Sequence, residues 1–216
     1  MGRIKVVGVG PGAAAYLTGA AREAVASADT LVGGSRHLGS LAAPNQEVFA
    51  LTGDLAAAIA FIRARMAAGR EVAVLATGDP GLFGILAALR RHFSPDELLV
   101  IPGVSAVQLA FARLALPWDD AVVVSAHGRD NRAALQAVLG QAKVAVFTDP
   151  PPAPATLAGE LLAAGAAPRE VYLLGDLSYP GEAVYRYSLA ELAAGPACPH
   201  RQVVLVFLTP REEPGR

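Results

Sequence analysis

The sequence has few of the residues and runs that mark specialised protein classes. Its 216 residues include one cysteine, Cys198, so no internal disulfide framework can form, which fits a reducing cytoplasm. No apolar run approaches the ~18 residues that span a membrane, and no signal-peptide pattern precedes the first strand, so we expect a cytoplasmic protein without a membrane partner. The net charge of −1 provides no overall basic field, so we expect no nucleic-acid partner.

Apolar residues, many of them alanine, make up 53% of the chain, which is ample for a buried core. In the first half, short β-rich runs alternate with alanine-rich stretches of helical spacing, and this pattern predicts a mostly parallel sheet. The predicted strands cover residues 4–9, 30–32, 71–76 and 98–101. The predicted helices cover 18–27, 55–68, 106–115 and a stretch that follows Gly81 and ends at His92.

The pattern changes after Leu116-Pro117-Trp118-Asp119-Asp120, which we take as a domain boundary. Strands are predicted at 121–125, 143–147 and 170–174 with helices between them, and two further strands at 183–187 and 202–208 look antiparallel. The predicted fold class is therefore α/β, with two α/β domains, 1–117 and 118–216, and an active-site cleft between them. The first domain is expected to hold a mostly parallel sheet and the second a mixed sheet.

The first strand runs into the glycine turn Gly8-Val9-Gly10-Pro11-Gly12. Gly8-x-Gly10-x-x-Ala13 satisfies the loose dinucleotide-binding pattern, but the following helix starts late, at an apparent cap at Thr18. Asp29 precedes the second strand, whereas a ribose-binding acid would follow it. No Gly-Lys-Ser/Thr follows the turn, so it is not a Walker phosphate loop. The turn alone leaves open a structural role without any ligand.

Two further glycine turns follow buried strands, Thr77-Gly78-Asp79-Pro80 and Pro102-Gly103-Val104-Ser105-Ala106. Ligands of open α/β sheets bind outside the carboxyl ends of the strands. Three glycine turns at that edge would leave backbone N–H and C=O groups accessible to a ligand. Asp79 is the natural acceptor there for an amino or hydroxyl group.

These motifs together resemble the tetrapyrrole (corrin/porphyrin) methylase family along nearly the whole chain. The resemblance implies two α/β domains that bind S-adenosylmethionine in the cleft between them and release S-adenosylhomocysteine. The motifs that carry it are Gly8-x-Gly10-Pro11-Gly12 with Leu17-Thr18, Thr77-Gly78-Asp79-Pro80-x-x-Phe83-Gly84, and Pro102-Gly103-Val104-Ser105-Ala106.

Within the family, several stretches look like the corrin (cobalamin) branch that methylates carbon 5 of cobalt-precorrin-7 or precorrin-6Y. Some relatives fuse this unit to a second methyltransferase that decarboxylates and methylates carbon 15. Since this chain stops at Arg216, it resembles the separate first subunit and is expected to work beside a separate decarboxylating subunit. The family also implies a homodimer. The stretches are 32–38, 78–85, 105–113, 116–120, 125–129 and 177–182.

The resemblance implies cofactor contacts in both halves of the chain. They fall on Pro11, Thr77, Gly78, Asp79, Leu82, Ser105, Ala106, Thr148 and Leu177. The last two depend on aligning the strand ends of the second domain, where the sequence departs more from the family pattern.

Methyl transfer from a sulfonium depends mainly on aligning the acceptor carbon, and a base can help to remove a proton from the ring. We name Asp79 and His127 as catalytic candidates. A flat polycarboxylate corrin substrate needs local cations, for which Arg36 and Arg129, in loops after strands, are candidates. Tyr179 and Glu182 complete the predicted substrate contacts. No protein-bound metal is expected, because the histidines form no metal-ligand spacing with Cys198.

Two kinds of alternative remain. Another tetrapyrrole C-methyltransferase, for an earlier corrin-ring position or of the siroheme type, would share the same motifs. A non-catalytic nucleotide-binding module would bind S-adenosylhomocysteine without transferring a methyl group to tetrapyrroles.

Overall fold

The computed structural model describes residues 3–209. The chain forms two compact units, Met1–Ser105 and Ala106–Arg216. The units thus divide before the helix that starts at Ala106, whereas the sequence places the domain boundary after Pro117. The boundary at 117–118 stays a prediction about domains.

The first unit contains five parallel strands in the order β3-β2-β4-β1-β5. The mostly parallel sheet predicted for this half is confirmed. The strands are β1 (Ile4–Gly8), β2 (Thr30–Gly33), β3 (Glu47–Ala50), β4 (Val72–Ala76) and β5 (Leu98–Ile101), and the helices are α1 (Gly19–Ala26), α2 (Ser35–Leu41), α3 (Leu55–Ala67) and α4 (Leu86–Leu89).

Helices pack on both faces of this sheet, which explains why its central strand β4 is continuously apolar. All five residues of β4 are buried, as predicted for a strand that is covered on both sides. On one face, Val7 and Leu75 pack with residues of α1 and α2, and on the other face Val6 and Val74 pack with α3 and α4.

Side-chain caps start two of these helices. The Thr18 hydroxyl accepts a hydrogen bond from the Ala21 N–H (3.1 Å), which confirms the cap predicted for α1. The Asp54 carboxylate accepts one from the Ala57 N–H (2.9 Å) at the start of α3. Helix boundaries are therefore well signalled where a short polar residue precedes the helix.

The helix predicted between Gly81 and His92 is wrong in extent, since the structure has only α4 there. Phe83 has φ 53°, a left-handed backbone conformation that interrupts a right-handed helix. Gly84 lies so close to Pro80 that a Cβ at this position would be 2.5 Å from the Pro80 carbonyl oxygen. The segment after the Asp79 turn is therefore coiled tightly on itself before the helix begins.

The second unit contains a mixed sheet in the order β6-β7-β10-β8-β9. The predicted mixed sheet is confirmed. The strands are β6 (Val122–Ser125), β7 (Lys143–Thr148), β8 (Glu170–Gly175), β9 (Ala183–Ser188) and β10 (Val203–Leu208), and the helices are α5 (Ala106–Leu114), α6 (Arg132–Gly140), α7 (Ala153–Ala163) and α8 (Leu189–Ala193).

The strand β10 lies at the centre of the second sheet, between β7 and β8, and is antiparallel to both. The strand β9 is antiparallel to β8, so the antiparallel direction predicted for the last two strands is confirmed. Five of the six residues of β10 are buried. Helices α6, α7 and α8 cover one face of this sheet, and α5 contacts β10.

Within residues 3–209, no helix has the length and apolar character needed to cross a membrane.

Candidate functional site

Three glycines meet at the carboxyl ends of the neighbouring strands β4, β1 and β5, and we call Gly8, Gly78 and Gly103 the glycine junction. A Cβ built on Gly8 would lie 2.5 Å from the Gly103 nitrogen and 2.7 Å from the Gly78 carbonyl oxygen. A Cβ on Gly103 would lie 2.7 Å from the Gly8 carbonyl carbon. Backbone therefore packs directly against backbone, and no side chain can enter.

Hydrogen bonds hold the first two turns together. The Gly78 N–H donates to the Gly10 carbonyl oxygen (2.8 Å), and the Gly10 N–H donates back to that of Gly78 (3.4 Å). Pro11, a predicted cofactor contact, follows directly and is buried. The turn after β1 is thus fixed against the turn after β4.

Asp79 ties the same edge to the third turn. One carboxylate oxygen accepts from the Gly81 N–H (2.8 Å), and the other accepts from the Gly103 N–H (3.2 Å). A carboxylate has about four lone-pair sites, so each oxygen retains capacity for a further donor. Asp79 organises the turns, and its predicted catalytic and cofactor roles stay predictions.

The other cofactor positions predicted for this unit lie around the junction. The Leu82 N–H donates to the Asp79 carbonyl oxygen (3.3 Å). Ser105 is buried, and a Cβ on Gly78 would lie 3.5 Å from its Cα. The structure therefore brings Pro11, Thr77, Gly78, Asp79, Leu82 and Ser105 to one edge of the first sheet, whereas Ala106 begins α5 in the second unit.

Thr77, the residue that follows β4, is exposed, and its side chain contacts a buried histidine. Its hydroxyl oxygen is 2.7 Å from Nε2 of His37, which is 8% exposed. Burial lowers the pKa of His37, and the positive charge of Arg36 lowers it further. Arg36 was expected in a loop, but the structure places it in α2, because the chain turns helical directly after Gly34.

The second sheet also collects predicted site residues at one edge. The carboxyl ends of β6, β7 and β8 lie beside the start of β10, where Val203 pairs with both Thr148 and Gly175. Thr148 is buried, and so is Leu177, two residues beyond β8. Both predicted cofactor positions of this unit are therefore at that edge.

His127 and Asp149 form a hydrogen-bonded pair there, each just beyond the end of its strand. Nδ1 of His127 is 2.7 Å from Oδ1 of Asp149, whose other oxygen accepts from the Gly128 N–H (2.9 Å). A neutral imidazole that donates from Nδ1 to this carboxylate keeps Nε2 as a proton acceptor. In the same turn the Arg129 N–H donates to the Ala126 carbonyl oxygen (3.1 Å), and the Arg129 side chain is exposed.

A second carboxylate–histidine pair joins the ends of β8 and β10. Asp176 accepts from Nδ1 of His200 (3.1 Å) and from the Gln202 N–H (3.0 Å). Nε2 of His200 is 3.1 Å from the Tyr185 hydroxyl. His200 fills the space beside Gly175, where a Cβ would lie 2.7 Å from the His200 Cβ and would overlap its ring.

The loop after Asp176 contains the remaining predicted substrate residues. The Tyr179 N–H donates to the Asp176 carbonyl oxygen (3.0 Å). Glu182 forms a bidentate ion pair with Arg113 and accepts from the Ser178 N–H (2.6 Å). The Arg113 hydrogen bond lowers the pKa of the Glu182 carboxyl. Glu182 is thus an internal anchor of the loop, and its contact with a substrate stays a prediction.

Sequence reasoning missed Asp149, Asp176 and His200. The signal for both aspartates was available, because each lies two residues after a predicted strand, as Asp79 lies three residues after one. His200 has no local signal, since its partners Asp176 and Tyr185 lie elsewhere in the sequence. Among the described residues, no three histidine, cysteine, aspartate or glutamate side chains are grouped to hold a metal ion.

Comparison with known proteins gives a family match over most of the chain. The sequence profile of the tetrapyrrole (corrin/porphyrin) methylases matches residues 3–193. A cobalt-precorrin-7 C(5)-methyltransferase of Salmonella typhimurium is 36% identical over 182 residues, 84% of this chain and 89% of that protein. A decarboxylating precorrin-6Y C(5,15)-methyltransferase of a Sinorhizobium species is 32% identical over 89% of this chain and 46% of the relative.

The fold has close counterparts among solved structures. A uroporphyrin-III C-methyltransferase of Thermus thermophilus, complexed with S-adenosyl homocysteine, superposes with a TM-score of 0.73 at 24% identity. The match covers 96% of this chain and 97% of that one. On the extent of the profile match and the identity to its relatives, the chain belongs to the tetrapyrrole methylase family.

Proposed function

We propose that the protein is an S-adenosylmethionine-dependent C-methyltransferase of cobalamin (corrin) biosynthesis that methylates carbon 5 of cobalt-precorrin-7 or precorrin-6Y. The observation that carries this proposal is the 36% identity to a cobalt-precorrin-7 C(5)-methyltransferase along 84% of the chain. The reaction type follows from family membership, and the ring position follows from that relative.

The first unit offers a backbone surface that suits the cofactor. The three glycines of the junction carry no side chains, so a ligand can approach the backbone of these turns closely. We propose that Pro11, Thr77, Gly78, Asp79, Leu82, Ser105 and Ala106 hold S-adenosylmethionine, with Thr148 and Leu177 of the second unit. When bound, the sulfonium supplies an activated methyl group, and the sulfur keeps the electron pair of the broken C–S bond.

The chain contributes mainly orientation to such a reaction. Effective molarities show that holding two reacting centres in line lowers a barrier by about 7–11 kcal/mol in favourable cases. The turns are suited to this task because hydrogen bonds through Gly10, Gly78 and Asp79 fix them to each other. Rigid turns hold a ligand without reorganising at the moment of reaction.

The His127–Asp149 pair is our proposed proton acceptor. A ring carbon that gains a methyl group leaves the macrocycle with a proton to lose. Asp149 orients the imidazole through Nδ1, and the exposed Nε2 can receive that proton. Asp79 is less suited to this role, because both its oxygens already accept backbone hydrogen bonds.

The substrate is expected to be recognised through its carboxylates. Arg129 is exposed in the turn beside His127, and Arg36 is exposed on α2. Guanidinium groups bind carboxylates through two parallel hydrogen bonds. We propose that both contact the substrate, that Tyr179 packs against the ring, and that Glu182 acts by anchoring the Tyr179 loop.

Further proposals concern assembly. We propose a cytoplasmic homodimer that hands its product to a separate decarboxylating methyltransferase acting at carbon 15. The separate carbon-15 enzyme is supported by the Sinorhizobium relative, whose name covers both positions and of which this chain covers 46%.

The test is mass spectrometry of a cobalt-precorrin-7 pool incubated with the protein and ¹³C-methyl S-adenosylmethionine. We expect one labelled methyl group, mapped by NMR to carbon 5. A label at another ring position would keep the family and replace the substrate assignment. Binding of S-adenosylhomocysteine without any transfer to tetrapyrroles would favour a non-catalytic binding module.

The same assay tests the proton acceptor. His127→Gln should lower kcat by roughly tenfold or more, since general bases contribute about 10²–10⁴ to rates. His92→Gln is the matched control, because His92 is exposed and its hydrogen bond with Arg63 uses its backbone carbonyl oxygen. Equal kcat values for the two variants would remove His127 from the mechanism.

A further inference from the structure

We propose that His37 is a positioning residue for cofactor recognition, acting through the hydroxyl of Thr77. The inference rests on the proposed function, because it takes the carboxyl edge of the first sheet as the cofactor site. It assigns a role to the segment Gly33-Gly34-Ser35-Arg36-His37-Leu38, of which only Arg36 has so far been given a function.

The geometry supplies the direct contact. Nε2 of His37 lies 2.7 Å from Oγ1 of Thr77, a normal hydrogen-bond distance between these atoms. His37 reaches this point from α2, which starts immediately after β2, the neighbour of β4 in the sheet. The pair therefore joins a helix start to the end of a neighbouring strand.

His37 and Thr77 differ in exposure, and this decides which of the two is held in place and which can meet a ligand. His37 is 8% exposed, whereas Thr77 is exposed to solvent. An exposed threonine hydroxyl normally turns to suit the surrounding water, so it gains a defined direction only from a fixed partner. The buried ring is such a partner, and it leaves the outer side of the hydroxyl for one defined hydrogen bond to a ligand.

The protonation state of the ring fits this role. Burial, and then the charge of Arg36, lower the pKa of His37, so the imidazole is neutral near pH 7. A neutral ring either accepts from the hydroxyl or donates to it, according to its tautomer. In both cases the Thr77 oxygen is engaged on its inner side without a buried charge.

Thr77 lies beside the glycine junction, so the direction of its hydroxyl group affects ligand recognition there. It directly precedes Gly78 of the glycine junction and Asp79, whose carboxylate binds the turn of Gly103. Around it the edge is formed by backbone groups. A side-chain hydroxyl of fixed direction is therefore suited to recognise one polar group of the bound cofactor.

A double-mutant cycle measures the effect, with S-adenosylhomocysteine as the titrated ligand in calorimetry. His37→Leu should weaken its binding by roughly 3–10-fold, the worth of one oriented neutral hydrogen bond. Thr77→Val should weaken it at least as much, and the double variant should bind no more weakly than Thr77→Val alone. His37→Gln, whose amide reaches the position of Nε2, should stay within about twofold of the wild type.

A second measurement uses chains in which the buried ring is intact. In ¹⁵N-histidine spectra, the His37 resonances should shift when S-adenosylhomocysteine is added to the wild type and should stay unchanged in Thr77→Val. This readout keeps the test valid if His37→Leu does not fold.

The outcomes separate the two proposals. Failure of the wild type to bind S-adenosylhomocysteine would overturn the proposed function and this inference with it. Normal binding by the wild type, with equal effects of His37→Leu in the wild-type chain and in the Thr77→Val chain, would overturn the inference alone. A ligand-induced shift of His37 that persists in Thr77→Val would do the same.

Discussion

At the carboxyl ends of its strands the first unit packs backbone against backbone, whereas the second unit fills the equivalent places with side chains. In the first unit, Gly8 and Gly103 approach each other and the Gly78 carbonyl oxygen so closely that neither can carry a Cβ. In the second, one such space beside Gly175 is occupied by the ring of His200, which Asp176 holds by a hydrogen bond. Two sheets of similar size thus present chemically different edges.

The difference teaches how one chain can combine a fixed and an adjustable surface. Backbone N–H and C=O groups are the same in every residue, so an edge made of them depends only on the chain path. An edge made of side chains, such as the His127–Asp149 pair, can be changed by single substitutions without moving the strands. The first kind suits a ligand shared by a whole family, and the second suits ligands that differ among its members.

Of the substitutions that test this comparison, Gly103→Ala should cause the largest loss of stability. Its Cβ would overlap the Gly78 carbonyl oxygen and lie 2.7 Å from the Gly8 carbonyl carbon, and only movement of two strands can relieve this. We expect a loss of about 3 kcal/mol in the free energy of unfolding, the upper range for overpacking. Hydrogen exchange of peptides from β1 and β4 measures the effect in the first unit.

Gly39→Ala is the matched control within the same unit. Gly39 lies in α2, and a Cβ there would meet nothing within 4 Å. Alanine should stabilise this helix by about 0.5–1 kcal/mol. Equal protection of β1 and β4 in the two variants would show that the junction tolerates side chains, contrary to the geometry.

An intermediate effect is expected from Gly175→Ala in the second unit. Its Cβ would overlap the His200 ring, so we expect a loss of about 2 kcal/mol. Because the obstacle is a side chain, Cβ included, His200→Gly should remove most of this extra cost. The fluorescence of Trp118, which stacks on Phe111 in the same unit, reports urea unfolding there.

For Gly175 and His200, the test is whether the stability losses of the two single variants add up in the double variant. The Gly175→Ala/His200→Gly chain should be about as stable as His200→Gly alone, a coupling of at least about 1 kcal/mol. Strictly additive losses would mean that the two edges do not differ in the way described.

The smallest effect is expected from Glu182→Gln and depends on pH. The Arg113 hydrogen bond lowers the pKa of Glu182 in the folded protein below its ordinary value of 4.5, so the unfolded chain binds more protons in acid. The contribution of the pair is therefore present above pH 4.5 and is lost as the pH falls through the lowered pKa. At pH 7 we expect a loss of less than about 1 kcal/mol.

Urea midpoints at pH 7 and at acidic pH test this prediction. The difference between the wild type and Glu182→Gln should shrink on acidification, while Asp119→Asn, an exposed carboxylate of the same unit, should show no comparable trend. A difference that grows in acid would contradict the assigned sign.

Elements set by local sequence were predictable. The cap at Thr18 and the continuous apolar run of β4 were both identified, because each depends on neighbouring residues only. The short edge strand β3 was missed, since only its pairing with β2 distinguishes Glu47–Ala50 from a loop. The place of β10 between β7 and β8 depends on two pairings distant in sequence, so only its direction was foreseen.

For the candidate site, the rule that ligands bind at strand ends located the glycine turns and Asp79. It could not show that each carboxylate oxygen of Asp79 accepts a hydrogen bond from a backbone N–H group, because one of the donors, Gly103, belongs to another turn. It also could not reveal the contact between His37 and Thr77, which are 40 residues apart. Motifs locate a site, whereas hydrogen bonds across strands decide what each side chain does.

The central position of β10 also has a consequence for synthesis on the ribosome. Residues 203–208 form the strand between β7 and β8, so the inner edges of these two strands stay unpaired until that stretch has emerged. The first sheet is complete once Ile101 is out, and domains generally fold in the order in which they are made. During translation the nascent chain therefore carries a finished first sheet and a second one whose inner strand edges are open, the interval in which it most needs protection from aggregation.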